Sequence, residues 1–392
     1  MARLPLQVAH AKAHAPAFAQ LLKDVAPADI TTRAALAQLP LTRKSQLHAL
    51  QSQARPFGGL AATGWDRMAR VFASPGPIYE PEGRDADWWR LARALYAAGF
   101  RRGDLVHNCF SYHLAPAGSM LETGAHALGC TVFPGGVGQT ELQVQAMADL
   151  APAGYVGTPS FLRIILEKAD ELGVALASLT KALVSGEPFP PSLRDALAAR
   201  GIAGYQVYAT ADLGNIAYET PAREGLVVDE GVLVEIVRPG TGDPVSEGEV
   251  GEVVVTSLAN RDYPLIRFCT GDLSAVLPGA SPCGRTNMRI RGWMGRADQT
   301  TKVKGMFVHP SQVAAIVARH PEIARARLVV DDPEGLDRMT LHCEPREAAV
   351  VPVDAVVASI RDVTKLRGEL QVRRAGELPN DGKVIEDLRR HA

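Results

Sequence analysis

Between residues about 100 and 215, short apolar runs alternate with longer stretches whose apolar positions fall at helical spacing. The runs are "DLVHNCF", "CTVFPGG", "GYVGTPS", "KALVSGEPF" and "GYQVYATADLG", most of them running into glycine, proline or serine turns. Between them lie "APAGSMLETGAHALG", "TELQVQAMADL" and "FLRIILEKADELG". Strand and helix in strict alternation predict a mostly parallel sheet covered by helices. Ligands in such sheets bind at the carboxyl ends of the strands.

The pattern differs on either side. Residues 1–60 read as polar helices, and "LPLTRKSQLHALQSQA" offers a helix start led by Thr42. "DADWWRLARALYAAGF" reads as one helix, closed by Gly99 and Gly103. "GLVVDEGVLVEIVRPGTGDPVSEGEVGEVVVTSL" is short strands with tight turns, an antiparallel β segment. From residue 299 the order β, α, β, β, α, β predicts a separate small domain, its boundary near "GRADQTT". The predicted fold class is therefore α/β. A large N-terminal domain, 1–298, has mostly parallel helix-covered sheets plus an antiparallel β segment. A small C-terminal α+β domain spans 299–392.

Composition narrows the function. The 392 residues carry a net charge of −1, which argues against a nucleic-acid binder. No apolar run has transmembrane length, and the start lacks a basic stretch followed by an apolar core, so a cytoplasmic protein without membrane attachment is expected. Cys109, Cys130, Cys269, Cys283 and Cys343 are scattered, odd in number and form no CxxC pair, which reads as reduced thiols.

Four segments carry candidate chemistry: "SGEPF" with "YQVYATADLG", then "YPLIRFCTGDLS", then "RIRGWMGRADQTTKVKGMFVHPSQV", and finally "LPNDGKVIEDLRRHA". Taken singly, each fits an ordinary turn or a surface charge. In this order and spacing they resemble the adenylate-forming superfamily, and within it the phenylacetate–CoA ligase family, over nearly the whole chain. "LPLTRKSQL" and "TVFPGGVGQTELQVQAMADLAPAGYVGTPSFL" extend the resemblance towards the N-terminus.

The resemblance implies an AMP-forming acyl- or aryl-CoA ligase that uses ATP, Mg²⁺ and CoA on a carboxylic acid expected to be aromatic. It casts Asp272 as the carboxylate on the ribose hydroxyls, chemically apt because an ionised Asp accepts two hydrogen bonds from a diol. Arg296 matches a ribose- or phosphate-contacting arginine, and Asp298 the hinge of the small domain. Lys383 matches the catalytic lysine that neutralises charge as the anhydride forms. Tyr208, Ala209 and Thr210 align with the adenine segment, and Glu187 and Pro188 with the glycine turn beside it. Asp212 stands where relatives place a Mg²⁺-associated Glu, and a shorter carboxylate still suits a hard cation. Ala211 departs from the family, which has a hydroxyl there. Tyr112, His113, Gly135 and Gly136 align with the acyl-substrate site, and Lys304 and Gly305 with the CoA segment.

Two motifs depart further. "ASPGPIYEPEG" occupies the phosphate-loop position and keeps Ser74 and Gly76, but has lost the family's Thr and Lys residues. It has gained Glu80 and Glu82, an unfavourable setting for pyrophosphate on Coulomb grounds. The Cys-Pro-Cys-Gly turn of zinc-bearing relatives reads "SPCGRT", with Ser281 beside Cys283, and one thiolate cannot hold a tetrahedral zinc, so no structural zinc is expected. A working ligase, a catalytically impaired adenylate- or CoA-binding protein on the same fold, and acyl transfer to a carrier protein all stay open, as does a homodimer.

Overall fold

Lys181–Val184 is buried along most of its length, as a strand covered on both faces should be. In the computed structural model, which describes residues 1–74, 77–303, 306–333, 337–379 and 383–389, it lies within an array of five parallel strands. Their spatial order is Thr131–Phe133, Leu105–Asn108, Gly154–Gly157, Lys181–Val184 and Ala203–Thr210. In chain order this is 2-1-3-4-5. The first strand is flanked by the second and third, so the direction of winding reverses beside it. The sheet then continues, antiparallel, through Gly214–Tyr218, Leu226–Val228, Arg289–Ile290, Phe268–Leu277, Val250–Ser257 and Val232–Val237. The predicted parallel and antiparallel segments are thus one hydrogen-bonded sheet.

Local chemistry explains the covering helices. Pro159–Glu171 starts with the Thr158 hydroxyl accepting from the Phe161 N–H and has Pro159 in its first turn. It buries Leu162, Ile165, Leu166 and Ala169 against the sheet. Ala117–Leu128 ends at Gly129, whose φ of +87° is left-handed.

Two predicted helices are corrected. Thr42 opens no helix: it is buried in the short strand Thr42–Arg43, paired with Phe268 and Cys269, and the helix begins at Leu47. The segment after Asp85 is helical only over Ala92–Ala97. Asp87 and Arg90 before it have positive φ, and the Asp87 carboxylate accepts from the Ala92 N–H. Tertiary anchoring of Trp88 to Asp262 and of Arg90 to Asp229 wins over helical spacing there.

The chain divides into two compact units: Met1–Thr270 with Ser274–Trp293, and Gly271–Leu273 with Met294–Ala392. The expected changeover was at 298/299; the second unit also takes in Met294–Asp298 and three residues of the strand Phe268–Leu277. This unit has its own core, including Val313, Ile316, Leu328, Leu341, Val356 and Ile360. Its four-stranded sheet runs Glu369–Val372, Arg338–Pro345, Ile323–Asp331, Ile385–Asp387, with helices Pro310–Ala318 and Val353–Thr364. Among the described residues no helix is long and apolar enough to cross a membrane.

Candidate active site

In the first unit, the segments singled out by sequence follow the carboxyl ends of the parallel strands: Cys109–His113 after the first strand, Pro134–Gly138 after the second, Thr158–Ser160 after the third, Ser185–Pro188 after the fourth and Ala211–Asp212 after the fifth. Backbone direction alone puts them at one sheet edge, where the winding reverses.

Asn108 organises the first segment. Its amide donates to the Tyr112 hydroxyl at 2.8 Å and the Gly118 carbonyl at 2.9 Å, while its carbonyl accepts from the Phe110 N–H. Gly118 lets the Tyr112 ring lie close, since a Cβ there would meet it at 2.9 Å. His113 is exposed, its N–H donating to the Ser111 hydroxyl. The Gly136 N–H donates to the Asn108 carbonyl, which ties the glycine turn to the first strand.

After the fourth strand, Gly186 takes φ +85°. The Glu187 carboxylate turns onto the Ser160 N–H, 2.5 Å away, in the first turn of helix Pro159–Glu171, a favourable place for negative charge. Pro188 beside it is exposed. Tyr208 is half-buried and donates to the Thr270 hydroxyl at 3.2 Å. Ala209 follows a register shift in the pairing with Gly214–Tyr218, and the Thr210 hydroxyl is used locally, accepting from the Leu213 N–H.

Asp212 is buried, with Lys44 Nζ 2.5 Å from its Oδ2. Lys44 belongs to the "LPLTRKSQL" segment but had no assigned role. Glu80 lies nearby, fully buried; burial pushes its carboxyl up to about 8, and the Asp212 charge adds to this. Asp212 Oδ1, Glu80 Oε1 and the Tyr263 hydroxyl are buried without a hydrogen-bond partner among the described residues.

These placements correct the Coulomb reading of the altered loop. Glu82 accepts from Arg70 and Ser119, so its charge is matched. Burial holds Glu80 towards its neutral form. Neither is a free carboxylate beside a phosphate site. Ser74 sits at the end of the hairpin Met68–Ser74/Ile78–Gly83 and gives its N–H to Glu80 Oε2 at 3.3 Å. Gly76 lies outside the described residues, as do Lys304 and Gly305.

In the second unit, Asp272 and Arg296 lie side by side. Arg296 Nη1 donates to Asp272 Oδ1 at 3.1 Å, and their backbones form a bridge. Asp298 lies in the single turn Ala297–Gln299. Gln299 accepts the N–H of Val384, so the residue after Lys383 is tethered next to that turn. The Lys383 side chain is 54% exposed, with Nζ 4.0 Å from Glu386.

Among the described residues, no three His, Cys, Asp or Glu side chains converge to hold a metal ion. Asp212 fits a magnesium ion as a single carboxylate with an unpartnered oxygen, since this ion takes one or two carboxylates and completes its shell with phosphate and water. In the zinc-turn position, the Ser281 hydroxyl lies 3.0 Å from Cys283 Sγ and Arg285 Nη1 donates to that sulfur at 3.5 Å.

The AMP-binding enzyme family matches residues 91–260. A phenylacetate–coenzyme A ligase of Aromatoleum evansii is 33% identical over 359 residues, 87% of this chain and 80% of its own length. The chain belongs to the phenylacetate–coenzyme A ligase family. It is accordingly an AMP-forming acid–thiol ligase of the adenylate-forming superfamily. The phenylacetate–coenzyme A ligase of Escherichia coli is 30% identical over 89% of this chain and 82% of its own. Among solved structures, an open 2-hydroxyisobutyryl-CoA ligase with 2-HIB-AMP and CoA superposes with a TM-score of 0.84 at 24% identity, over 98% of this chain and 90% of that one. At that identity the match speaks for the fold.

Proposed function

We propose that this ligase joins an aromatic carboxylic acid to CoA through an acyl-adenylate. A carboxylate oxygen attacks the α-phosphorus of ATP, the bond to the β-phosphate breaks, and pyrophosphate leaves. The CoA sulfur then attacks the acyl carbon, AMP leaves, and the thiol proton passes to solvent. Asp272 accepts from the ribose hydroxyls, with Arg296 fixing its carboxylate. Lys383 neutralises charge building between carboxylate and α-phosphate. Tyr208, Glu187 and Pro188 flank the adenine, and Tyr112, His113 and the Gly135–Gly136 turn line the acid. Asp298 is the hinge of the small domain, and Lys304 and Gly305 meet CoA. Asp212 would hold a magnesium ion, which would supply charge neutralisation at the phosphates.

The observation that carries the reading is the pairing of Asp272 with Arg296, two residues distant in sequence with complementary chemistry for a nucleotide. The test is ATP–pyrophosphate exchange against a panel of aryl and short acyl acids, with AMP release measured with and without CoA. Acid-dependent exchange plus CoA-dependent AMP release is expected with aryl acids. AMP release driven instead by a phosphopantetheinylated carrier protein would move the acceptor from CoA to that carrier.

A second reading, an adenylate-binding protein with little ATP turnover, is favoured by Ser74. Its N–H, at the start of the altered loop, is already given to Glu80. Binding of AMP and of a stable acyl-adenylate mimic without any exchange would select it.

A further inference from the structure

Helix Thr140–Leu150 buries Gln143, Val144 and Met147. A glutamine on that face must have partners, because burying an amide with its hydrogen bonds unmade is costly. Gln143 has four. The two hydrogens of its Nε2 are shared among the carbonyls of Gly135 at 2.9 Å, Gly136 at 3.2 Å and Gly138 at 3.3 Å. Its Oε1 faces His107 Nε2 at 2.6 Å. The three carbonyls fix which end of the amide is nitrogen, and so oblige His107 Nε2 to carry a proton. Burial holds the imidazole pKa down, so the ring is neutral, stacked on Phe133 with centroids 5.0 Å apart.

The turn is also fitted to the amide. A Cβ on Gly135 would stand 2.5 Å from Gln143 Oε1 and 3.0 Å from His107 Nε2. Gly136 and Gly138 take φ of +66° and +75°, the left-handed region that glycine tolerates. One side chain thus gathers three peptide carbonyls inwards, anchored through His107 to the first parallel strand at the reversal point of the sheet.

We propose that Gln143 is a positioning residue for the acid substrate, setting the conformation of the Pro134–Gly138 turn that the acid lies against. This rests on the proposed function, which puts the acid at Gly135 and Gly136. Gln143 does not touch the reacting atoms; it acts through the turn, with His107 holding its orientation.

The experiment is steady-state kinetics of Gln143→Leu and Gly135→Ala, with KM determined separately for acid, ATP and CoA. Loss of the amide or intrusion of the Cβ should raise the acid KM about tenfold or more, with ATP and CoA KM values within about twofold. A purely structural role would lower the active fraction, and so kcat, with all three KM values unmoved. The double variant Gly135→Ala/Gln143→Ala should be within about threefold of Gln143→Ala alone for the acid, because the closest clash of the methyl, with the amide, is gone and only the looser contact with His107 is left. If Gln143→Leu does not fold, Gly135→Ala and the double variant carry the test. An active wild type whose acid KM is unmoved in all folded variants overturns the inference and leaves the function standing. A wild type that neither activates nor binds any acid overturns both.

Discussion

Gly271 and Arg296 fit together because position 271 has no side chain: a Cβ there would lie 2.6 Å from Arg296 Nη2. The glycine also takes φ +77°, which costs other residues roughly 1–2 kcal/mol. Gly271→Ala should therefore push the guanidinium away from Asp272. AMP affinity, measured by calorimetry, should fall about tenfold, the loss of one charge-assisted hydrogen bond. An alanine variant with wild-type AMP affinity would separate Arg296 from ribose recognition.

Lys383→Ala should lower the adenylation rate about a hundredfold, from removal of one oriented charge worth on the order of 3 kcal/mol. Thioester formation from supplied acyl-adenylate should stay within a few-fold. Single-turnover quench experiments on each half-reaction distinguish the two. Equal loss in both would make Lys383 a general support of the small domain.

Glu80 gives a pH signature. Its folded pKa, raised to about 8 chiefly by burial, lies above the usual carboxylate value, so the folded chain binds a proton that the unfolded chain releases. The stability from that proton is fully present below about pH 4.5 and is lost as pH rises towards 8, at up to about 1.4 kcal/mol per pH unit. Glu80→Gln, neutral at every pH, should remove this pH-dependent loss and unfold at higher urea than wild type at pH 8.5. A wild-type midpoint equal to or above that of the variant at pH 8.5 would contradict a protonated Glu80.

Cys283 should be the thiol alkylated first by iodoacetamide at pH 7. Burial raises its pKa, but hydrogen bonds from Ser281, Arg285 and Thr220 outweigh this and bring it down to about 6. Burial instead drives the Cys109 and Cys269 thiols up to about 12. Peptide mapping after brief labelling reads the order, and Ser281→Ala should slow Cys283 towards an ordinary thiol. Preferential labelling of any buried cysteine would count against this ordering.

Most of the fold was legible because alternation of strand and helix survives whatever the side chains do elsewhere. Asp272 and Arg296 were each legible through the family motif they match, but their contact with one another was not foretold. Lys44 was not legible: a lysine in a short polar segment looks like solvent-exposed charge until the fold buries Asp212 against it. Glu80 and Glu82 misled for the same reason, since strand alternation cannot say which carboxylate meets Arg70 and which meets Asp212. Gln143 left a readable trace, a polar residue beside Val144 and one turn before Met147 on the apolar stripe. That trace names a buried amide without naming the three carbonyls it gathers.

The Glu187 carboxylate on the Ser160 N–H also occupies a helix start. A helix start at the edge of a parallel sheet ordinarily draws anions from solution. Here the chain supplies its own tenant, a carboxylate from the neighbouring strand-end turn. Inorganic phosphate and other stray anions find that seat taken, and the turn carrying Glu187 and Pro188 stays docked through an internal surrogate.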